Sequence, residues 1–317
     1  MRVLFTTRLP DAVIERAEQH FDVEIREDTR PLKVGQMRAA LTLYDGVLPT
    51  LGDFFTAEAF EGAEGSRCKV LANFGVGYNH IDVAAARAAG LMVTNTPGAV
   101  TDATADIALT LMLMTARRAG EGERLLRAGK WTGWTPTQLL GLHVTGKTVG
   151  IIGMGRIGQA IARRCHYGFG MNVVYFNRSP KSVDIEARQV ETLQELAGLS
   201  DFVVTAVPGG GDNKYLVGEE LFAAMQPHAR FINIARGDVV DEDALIEALQ
   251  TGRIGGAGLD VYENEPDVPA PLTRMENVAL LPHLGTAALE VRERMGFLAV
   301  DNLVAALNGD TPPNLVN

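Results

Sequence analysis

Charged and titratable side chains follow three apolar segments in the second half of the chain. The guanidinium of Arg236 comes after the first, the carboxylate of Asp260 after the second and the imidazole of His283 after the third. Each apolar segment predicts a buried strand, and in open α/β sheets ligands bind beyond the carboxyl ends of the strands. A guanidinium there can hold an anion through two donors, and an imidazole can give or take a proton. Solvated loop charges are the alternative, and spacing alone leaves open whether Glu263 or Glu265 takes part.

A glycine turn between an apolar strand and an amphipathic helix could bind the phosphates of a dinucleotide. Gly153 allows the tight turn, Gly155 lets the backbone approach a pyrophosphate, and Gly158 allows the helix to pack closely on the strand. Arg156 and Ile157 open the helix, where free N–H groups and a partial positive charge attract anions. A second apolar segment follows at the spacing of a βαβ unit, so we predict a dinucleotide cofactor; a tight turn without a ligand is the alternative.

The residues at the end of that second strand indicate which dinucleotide binds. A site for NAD places an Asp or Glu about 20 residues past the glycine turn, where it accepts the ribose 2′-OH. Here the strand ends in Asn177, Arg178 and Ser179, and no acid is present. A forked cation and two hydrogen-bonding side chains suit a 2′-phosphate, which predicts NADP(H) as the preferred cofactor and NAD(H) as an alternative one. The other interpretation is a solvated arginine over an NAD site that uses different contacts.

Length and charge limit the class of protein. The 317 residues suffice for two domains, and 46% hydrophobic content supports a full core in each. A net charge of −10 argues against nucleic acid or an anionic membrane as a partner. Residues 1–7 are expected to form a first strand rather than a signal peptide, and the most apolar helix, residues 103–115, is too short for a bilayer. Cys68 and Cys165 make no disulfide framework, so a cytoplasmic location is expected, and no metal site is predicted.

Apolar segments alternate with helical stretches along both halves of the chain. This pattern predicts two doubly wound parallel sheets, each with helices on both faces. Helices are expected over 157–165 and 241–250, and a long amphipathic helix over 287–307 comes last and can cross back to the first domain. The candidate strands are 3–5, 23–25, 46–48, 69–72 and 91–93 in the first half and 148–152, 172–176, 201–206, 230–234, 256–260 and 277–281 in the second.

Several segments together resemble a known family. Further similarity at 73–82 and 101–106 extends the resemblance over most of the chain, which looks most like the glyoxylate/hydroxypyruvate reductase branch. The resemblance implies a Rossmann-type cofactor domain over 100–286 and a flavodoxin-like substrate-binding domain over 1–99 plus 287–317, with the active site in the cleft between them. The segments that resemble, in order, the signature blocks of the D-isomer-specific 2-hydroxyacid dehydrogenases are 153–158, 233–242, 258–266 and 282–286.

The resemblance also implies an enzyme that reduces glyoxylate, hydroxypyruvate or another small 2-oxo acid with NADPH. It selects Glu265 over Glu263 and makes Arg236, Glu265 and His283 the catalytic set. Arg236 would hold the substrate carboxylate and polarise the adjacent carbonyl. His283 would donate a proton to the carbonyl oxygen as hydride arrives, while Glu265 would orient the ring and favour its protonated form. Reduction is then expected to be fastest at or below neutral pH, and oxidation at higher pH.

Further contacts to substrate and cofactor follow from the same resemblance. The N–H groups of Val76 and Gly77 would form an anion-binding nest for the substrate carboxylate, whereas the residues alone equally indicate a plain glycine turn. Leu51 and Phe74 are expected to border the substrate side chain. The remaining cofactor contacts that the resemblance implies are Val76, Thr104, Val207, Pro208, Ala235, Arg236, Asp260, His283 and Gly285.

Two aromatic residues and a run of glycines complete the list of unusual features. Trp131 and Trp134 either pack in the core of the monomer or lie on an arm that meets a second subunit. The resemblance favours the arm and a homodimer, with Trp134 reaching the substrate pocket of the partner. The run Gly209-Gly210-Gly211 departs from the family, where a polar turn is usual, and predicts a mobile loop near the adenosine end.

Two other functions stay open at this point. A nicotinamide-sensing binding protein of the corepressor type keeps the fold and the same residues, but it carries extra terminal segments that a chain ending at Asn317 is not expected to have. Formate or phosphite oxidation is the other, although formate dehydrogenases of this fold carry additional N-terminal sequence and different pocket residues. We therefore predict a reductase of small 2-oxo acids.

Overall fold

A computed structural model describes all residues, 1–317, and divides them into two compact units. Unit 1 comprises Met1–Val100 and Thr286–Asn317, and unit 2 comprises Thr101–Gly285. Each limit lies one residue from the domain boundary that the sequence analysis expects. Each unit contains one sheet, and every strand pair in both sheets is parallel. The predicted α/β class is confirmed.

Unit 1 has five strands and five helices. The strands are β1 (Arg2–Phe5), β2 (Asp22–Ile25), β3 (Gly46–Leu48), β4 (Val70–Ala72) and β5 (Met92–Thr94). The helices are α1 (Asp11–Glu18), α2 (Val34–Leu43), α3 (Ala57–Phe60), α4 (Val83–Ala88) and, from the C-terminal segment, α12 (Leu289–Asn308). The strand order β2-β1-β3-β4-β5 is that of flavodoxin-like sheets.

Each face of this sheet has its own apolar core, because successive side chains of a strand point to opposite faces. Helices α1 and α12 cover one face around Phe5, Val13 and Leu303, and α2, α3 and α4 cover the other around Leu71. Helix α12 lies so close to β3 that a Cβ on Gly46 would meet Leu303 at 2.8 Å. The last helix of the chain thus completes the core of the first unit.

Unit 2 has seven strands in the order β12-β11-β10-β9-β6-β7-β8. They are β6 (Thr148–Ile152), β7 (Asn172–Phe176), β8 (Arg188–Gln189), β9 (Phe202–Thr205), β10 (Arg230–Asn233), β11 (Gly256–Leu259) and β12 (Val278–Leu280). This is the Rossmann order with one strand added, and its switch point lies between β6 and β9, where ligands bind in such sheets.

The helices of unit 2 cover both faces of its sheet. Helices α5 and α7 pack on one face around Leu111 and Ile161, and α8, α9 and α10 pack on the other around Leu196 and Phe222. The helices are α5 (Thr101–Ala116), α6 (Ala119–Arg127), α7 (Arg156–Arg163), α8 (Leu193–Leu199), α9 (Glu219–Ala224), α10 (Glu242–Gln250) and α11 (Ala270–Arg274), with a π-helical turn at Arg164–Gly168 and 3-10 turns at Gly211–Asn213 and Gly237–Val239.

Every strand expected from the sequence is present, most with one or both ends shifted by one residue. Strand β8 is additional; its two residues are exposed, so no apolar pattern marks it. Helix α7 ends at Arg163, two residues before its expected end, where the π-helical turn begins. None of the helices combines the length and hydrophobicity needed to cross a bilayer. Histidine, cysteine and acidic side chains form no group of three or more that could hold a metal ion.

Candidate active site

The carboxyl edge of the seven-stranded sheet gathers most of the residues that the sequence analysis singles out in unit 2. Since all seven strands are parallel, their carboxyl ends meet at one edge. The glycine turn follows β6 and Asn177 follows β7, while Val207, Arg236, Asp260 and His283 come after β9, β10, β11 and β12 in turn.

His283 and Glu265 form a hydrogen-bonded pair. Nδ1 of the His283 ring lies 2.8 Å from Oε2 of Glu265, and both side chains are partly buried. The other carboxylate oxygen of Glu265 accepts the N–H of Tyr262 at 3.0 Å. Burial raises the pKa of Glu265, but these hydrogen bonds and the charges of His283 and Arg236 outweigh burial and hold the pKa below its ordinary value. Glu265 is therefore a carboxylate that fixes the orientation of the ring.

Glu263, the other acid that the spacing allows, has different partners. Its carboxylate accepts a hydrogen bond from the hydroxyl of Tyr215, and its N–H donates to the carboxylate of Glu242 at 3.0 Å. Of the two acids, Glu265 is the one bonded to His283.

Asp260 holds the turn that carries His283. The φ angle of His283 is 53°, in the left-handed region that residues other than glycine rarely adopt. The His283 N–H donates to the backbone oxygen of Asp260 at 2.9 Å. The N–H groups of Leu284 and Gly285 donate to the two carboxylate oxygens at 2.6 and 2.8 Å. Burial raises the pKa of Asp260, although the two N–H donors and the charge of His283 act against it. Asp260 therefore orients the histidine backbone, a role that sequence reasoning missed.

Thr104 and Gly285 lie beside Asp260. The hydroxyl of Thr104 donates to the backbone oxygen of Gly285 at 3.2 Å. A Cβ on Gly285 would lie 3.3 Å from Oδ2 of Asp260 and 3.6 Å from the Thr104 hydroxyl. The structure thus brings together Thr104, Asp260 and Gly285, three of the expected cofactor contacts. Ala235, another of them, is buried next to Arg236.

Arg236 is a desolvated cation without a carboxylate partner. Its Nη1 donates to the backbone oxygen of Ala235 at 2.7 Å, and it forms no ion pair. Burial lowers the pKa of Arg236, and the charges of Glu265 and Asp238 act in the opposite direction. Since arginine stays charged in proteins, free guanidinium donors remain at this sheet edge. Such donors can bind a carboxylate through two parallel hydrogen bonds.

A buried amide, Asn233, shapes the turn that carries Arg236. Its Oδ1 accepts the N–H of Ala235 at 3.0 Å and the hydroxyl of Thr205 at 2.6 Å. Its Nδ2 donates to the backbone oxygen of Arg236 at 3.0 Å. Sequence reasoning did not identify Asn233 as a site residue, although an amide directly after the apolar residues Phe231 and Ile232 is a signal that could have found it.

The glycine turn after β6 has the geometry that a pyrophosphate requires. Gly153 has a φ of 98°, and a Cβ there would lie 2.6 Å from the Ala206 backbone oxygen. A Cβ on Gly158 would lie 2.0 Å from the Gly153 backbone oxygen, whereas one on Gly155 would meet nothing within 4 Å. Helix α7 begins at Arg156, next to Ile157, without a side-chain cap. Its first N–H groups are therefore left for a ligand, and the open side at Gly155 gives that ligand access.

The three residues after β7 differ in their contacts and exposure. Oδ1 of Asn177 accepts the N–H of Met154 at 3.1 Å, and its Nδ2 donates to the backbone oxygen of Ser179 at 2.7 Å. Asn177 thus ties the end of β7 to the glycine turn. Arg178 and Ser179 are exposed, and Arg178 forms an ion pair with Asp212, with 3.7 Å between Nη1 and Oδ2. A cation stands where a 2′-phosphate is expected.

The segment after β9 lies against both the glycine turn and the turn of Arg236. A Cβ on Gly153 would meet the Val207 side chain at 2.6 Å. The backbone oxygen of Pro208 accepts Nδ2 of Asn213 at 3.0 Å, and the N–H of Gly210 donates to Asp238 at 2.7 Å. The three glycines, for which the sequence predicts a mobile loop, lead into a 3-10 turn held by these bonds.

In unit 1, the loop after β4 offers free backbone donors. The backbone oxygen of Val76 accepts Nδ2 of Asn95 at 2.9 Å, but no protein acceptor takes the N–H of Val76 or of Gly77. Leu51 lies over this loop, 3.4 Å from where a Cβ on Gly75 would be, and Phe74 is partly buried. These two N–H groups have the character of an anion nest.

Asn73 sets the shape of this loop, and sequence reasoning missed it. Its Nδ2 donates to the backbone oxygens of Gly75 and Gly77 at 3.1 and 2.9 Å. Its Oδ1 lies 3.0 Å from Nε2 of His80, which is buried. Like Asn233, Asn73 is a buried amide at the end of an apolar strand.

The two tryptophans lie in unit 2 on a segment without helix or strand, residues 128–147. Trp131 is 51% exposed and Trp134 is 78% exposed, so the interpretation that they pack in the core of the monomer is wrong. No hydrogen bond joins Trp134 to the candidate site residues, and Nε1 of Trp131 donates to Gln138 at 3.2 Å.

The fold and the site define a Rossmann-type α/β protein in which a glycine turn, a hydrogen-bonded histidine–glutamate pair and an arginine without an ion pair lie at the carboxyl edge of one sheet. The chain belongs to the D-isomer specific 2-hydroxyacid dehydrogenase family, because the model of that family's NAD binding domain matches residues 109–285. Full-length relatives agree, so the resemblance seen in the sequence is confirmed. One is the glyoxylate reductase of Thermococcus kodakarensis, 43% identical over 322 residues that cover 100% of this chain and 96% of that protein.

Two further relatives extend the comparison to bacteria. Glyoxylate/hydroxypyruvate reductase B of Cronobacter sakazakii is 41% identical, covering 99% of this chain and 97% of that protein. Among solved structures, the NADPH-dependent glyoxylate/hydroxypyruvate reductase of Sinorhizobium meliloti, in complex with NADP and malonate, superposes with a TM-score of 0.88. It is 36% identical, and the match covers 99% of this chain and 96% of that one.

Proposed function

We propose that this chain is an NADPH-dependent glyoxylate/hydroxypyruvate reductase that transfers hydride to the carbonyl of a small 2-oxo acid. The observation that carries the proposal is the unpaired, desolvated guanidinium of Arg236 at the same sheet edge as the His283–Glu265 pair. An anion-binding cation and a proton donor are the two groups that reduction of a 2-oxo acid requires. The named activities of the relatives support this choice of substrate.

The residues beyond the carboxyl ends of the strands fit a nicotinamide dinucleotide. The first turn of α7, beside the open side of Gly155, would hold the pyrophosphate, and Arg178 and Ser179 would hold the 2′-phosphate. Thr104, Asp260 and Gly285 would contact the nicotinamide end. When bound, the cofactor supplies the hydride. NADPH is the preferred form in this proposal because a cation stands at the end of β7, and NADH is accepted less well.

Arg236 binds and polarises the substrate. Its free donors take the carboxylate of the 2-oxo acid and draw electron density from the adjacent carbonyl. Because Asn233 fixes the backbone on both sides of this residue, the guanidinium is held in one place before substrate arrives. Positioning of this kind lowers the barrier by replacing a bimolecular encounter with a fixed geometry.

His283 supplies the proton. The protonated ring donates from Nε2 to the carbonyl oxygen as negative charge builds there, so that hydride adds to carbon and the proton to oxygen. Glu265 stays ionised because its pKa is held low. Its negative charge stabilises the positive charge of the His283 ring until the proton is transferred. In the oxidative direction the neutral ring takes the proton back from the hydroxyl of the 2-hydroxy acid.

The loop of unit 1 is proposed to take part in substrate binding. The free N–H groups of Val76 and Gly77 suit a carboxylate, and Leu51 and Phe74 are the apolar neighbours of that loop. A substrate with a short side chain, such as glyoxylate or hydroxypyruvate, is the expected ligand. This role for the loop belongs with the proposed assignment of unit 1 to substrate and unit 2 to cofactor.

We further propose that the chain forms a homodimer through the arm, residues 119–146. Large apolar side chains are exposed along this one segment, which is the kind of surface that a second subunit covers. Size-exclusion chromatography with light scattering is expected to give twice the 34.1 kDa mass of the chain. The double substitution Trp131→Ser, Trp134→Ser is expected to weaken the dimer, and a monomeric parent protein contradicts the proposal. The exposed side chains are Leu126, Trp131, Trp134 and Leu140.

The proposed location is the cytoplasm. Both cysteines, Cys68 and Cys165, are free and buried, and burial raises the pKa of each thiol to about 12. Such thiols are unreactive and form no disulfide framework, which supports a reducing compartment.

The substitution Arg236→Lys tests the proposed function, because lysine keeps the charge but lacks the planar fork. We expect the KM for glyoxylate to rise about 10- to 100-fold, as removal of a charge-assisted hydrogen bond predicts. Arg230→Lys is the matched control, since Arg230 starts the same strand and also lacks an ion pair. Equal KM values for wild type and Arg236→Lys, or an equal rise in the control, contradict the proposal.

A further inference from the structure

Asp212 is the one carboxylate that forms an ion pair with the cation expected to meet a 2′-phosphate. Its Oδ2 lies 3.7 Å from Nη1 of Arg178, with 93% of the Asp212 side chain and 72% of the Arg178 side chain exposed. The acid that an NAD site carries at the end of the second strand is absent from this chain. A carboxylate is nevertheless present at this place, and it comes from the segment after β9.

Hydrogen bonds hold the segment that carries Asp212. The N–H of Gly210 donates to Asp238 at 2.7 Å, and Nδ2 of Asn213 donates to the backbone oxygen of Pro208 at 3.0 Å. Asp212 sits between these anchors in the 3-10 turn Gly211–Asn213. Its carboxylate is thus presented to Arg178 by a folded turn.

The first glycine of the segment leaves no room for a side chain. A Cβ on Gly209 would lie 2.7 Å from Cγ of Arg236 and 2.7 Å from Oδ1 of Asp238. The glycine run therefore lets the backbone pass closely over the turn of Arg236, and this path brings Asp212 to the end of β7. The glycine run that departs from the family is therefore also the feature that places the Asp212 carboxylate beside Arg178.

We propose that Asp212 is a specificity-determining residue that lowers the preference of this chain for NADPH over NADH. The inference rests on the proposed function, in which Arg178 meets a 2′-phosphate. That phosphate carries about −1.5 to −2 charges at neutral pH, so a carboxylate beside Arg178 repels it and competes with it for the guanidinium. The 2′-OH of NADH is instead a donor that a carboxylate can accept.

The expected change in NADPH affinity is limited because Arg178 and Asp212 are both exposed. Water and salt screen interactions between exposed charges, so one carboxylate near a doubly charged phosphate changes affinity only moderately. We expect Asp212→Asn to tighten NADPH binding about three- to tenfold at low salt and to leave NADH binding equal or weaker. The difference should shrink as ionic strength rises.

Equilibrium binding tests this proposal without reference to turnover. NADPH, NADH, 2′,5′-ADP and 5′-AMP are titrated into the wild-type protein and Asp212→Asn at low and at high salt. Glu247→Gln is the control, because Glu247 is an exposed acid in the last turn of α10 and its substitution changes the net charge equally. The expected result is tighter NADPH and 2′,5′-ADP binding in Asp212→Asn only, with the gain lost when Arg178→Ala is added.

Other outcomes overturn the proposal or separate it from the proposed function. Equal effects of Asp212→Asn and Glu247→Gln, or equal tightening of NADPH and NADH, overturn the role of Asp212. If the wild-type protein prefers NADH while Asp212→Asn still shifts the ratio toward NADPH, the proposed NADPH preference fails and the role of Asp212 stands. If neither dinucleotide binds, both proposals fail.

Discussion

Nδ1 of His283 lies 2.8 Å from Oε2 of Glu265, and the other ring nitrogen, Nε2, has no hydrogen-bond partner in the protein. One nitrogen of the His283 ring is therefore held by Glu265, and the other is free to contact a substrate. Because the Tyr262 N–H also holds Glu265, the carboxylate cannot follow the ring, and the ring cannot turn without breaking its hydrogen bond to Glu265. This arrangement suits a ring that donates a proton to a substrate and is then protonated again.

The charge of Glu265 is expected to matter more than its shape. In Glu265→Gln an amide replaces the carboxylate, so the protonated ring loses its partner charge. We expect kcat for reduction to fall about 10- to 100-fold, and the decline of the rate with rising pH to begin at a lower pH. The measurement is the pH dependence of kcat. His228→Gln is the control, since His228 forms a similar pair with Asp201 at 2.7 Å near the amino ends of β9 and β10. A rate lowered equally at every pH contradicts a charge effect.

The two directions of the reaction should have different pH dependences. Reduction needs the protonated His283 and should be fastest at or below neutral pH, fading as the ring loses its proton. Oxidation of the 2-hydroxy acid needs the neutral ring and should be fastest at higher pH. Glu265 stays ionised over this range because its pKa is lowered, so it does not add a pH dependence of its own. Initial rates in both directions over pH 5 to 10 check this, and superimposable profiles exclude His283 as the acid–base group.

Substitution of two glycines that follow β6 should affect different properties, cofactor binding at Gly155 and stability at Gly158. A Cβ on Gly155 meets nothing within 4 Å, so Gly155→Ala should leave the melting temperature unchanged while weakening NADPH binding about tenfold through loss of close approach. A Cβ on Gly158 would lie 2.0 Å from the Gly153 backbone oxygen, so Gly158→Ala should destabilise the protein by about 2 kcal/mol or more. Calorimetry and cofactor titration give both quantities. Equal melting temperatures of the two variants contradict this division of roles.

Asp45 is expected to stabilise unit 1 except at acid pH. Arg67 binds it through two hydrogen bonds of 2.8 Å, and these together with the Arg2 N–H lower the pKa of Asp45 to about 2. A depressed folded-state pKa contributes stability that is complete above the unfolded value of 3.8 and is lost as pH falls through about 2. Asp45→Asn should therefore lower the unfolding free energy by about 1 to 2 kcal/mol at pH 7.

Urea denaturation of the wild-type protein and Asp45→Asn at pH 7 and pH 3 measures this contribution. The difference between the two proteins should be smaller at pH 3. Glu61→Gln is the control, because Glu61 also pairs with an arginine, Arg38, but 70% of its side chain is exposed, a setting in which the contribution is small. A constant difference across pH excludes linkage to the Asp45 carboxyl.

The positions of eleven of the twelve strands could be predicted from the sequence to within one residue, because apolar segments and glycine turns are local signals. Strand β7 begins and ends where the pattern places it, at Asn172 and Phe176. Strand β8 could not be predicted, since its two exposed residues are strand only through pairing with β7. The π-helical turn after Arg163 has no compositional signal either.

The candidate site divides in a similar way. Residues that follow strands, such as Arg236 and His283, are visible as charges after apolar segments. The buried amides Asn73 and Asn233 were missed, because their roles depend on carbonyl and N–H groups that only the folded turns bring within reach. The choice between two acids close in sequence likewise depends on which carboxylate the turn after β11 aims at the ring.

The most direct test of the central claim is the initial rate of NADPH and NADH oxidation with glyoxylate, hydroxypyruvate, pyruvate and phenylpyruvate, for the wild-type protein and His283→Ala. We predict turnover of glyoxylate and hydroxypyruvate with NADPH preferred, and a loss of about 10²- to 10⁴-fold in kcat in the variant with cofactor binding retained. Binding of the dinucleotide without turnover of any 2-oxo acid, or full activity of His283→Ala, would contradict the account.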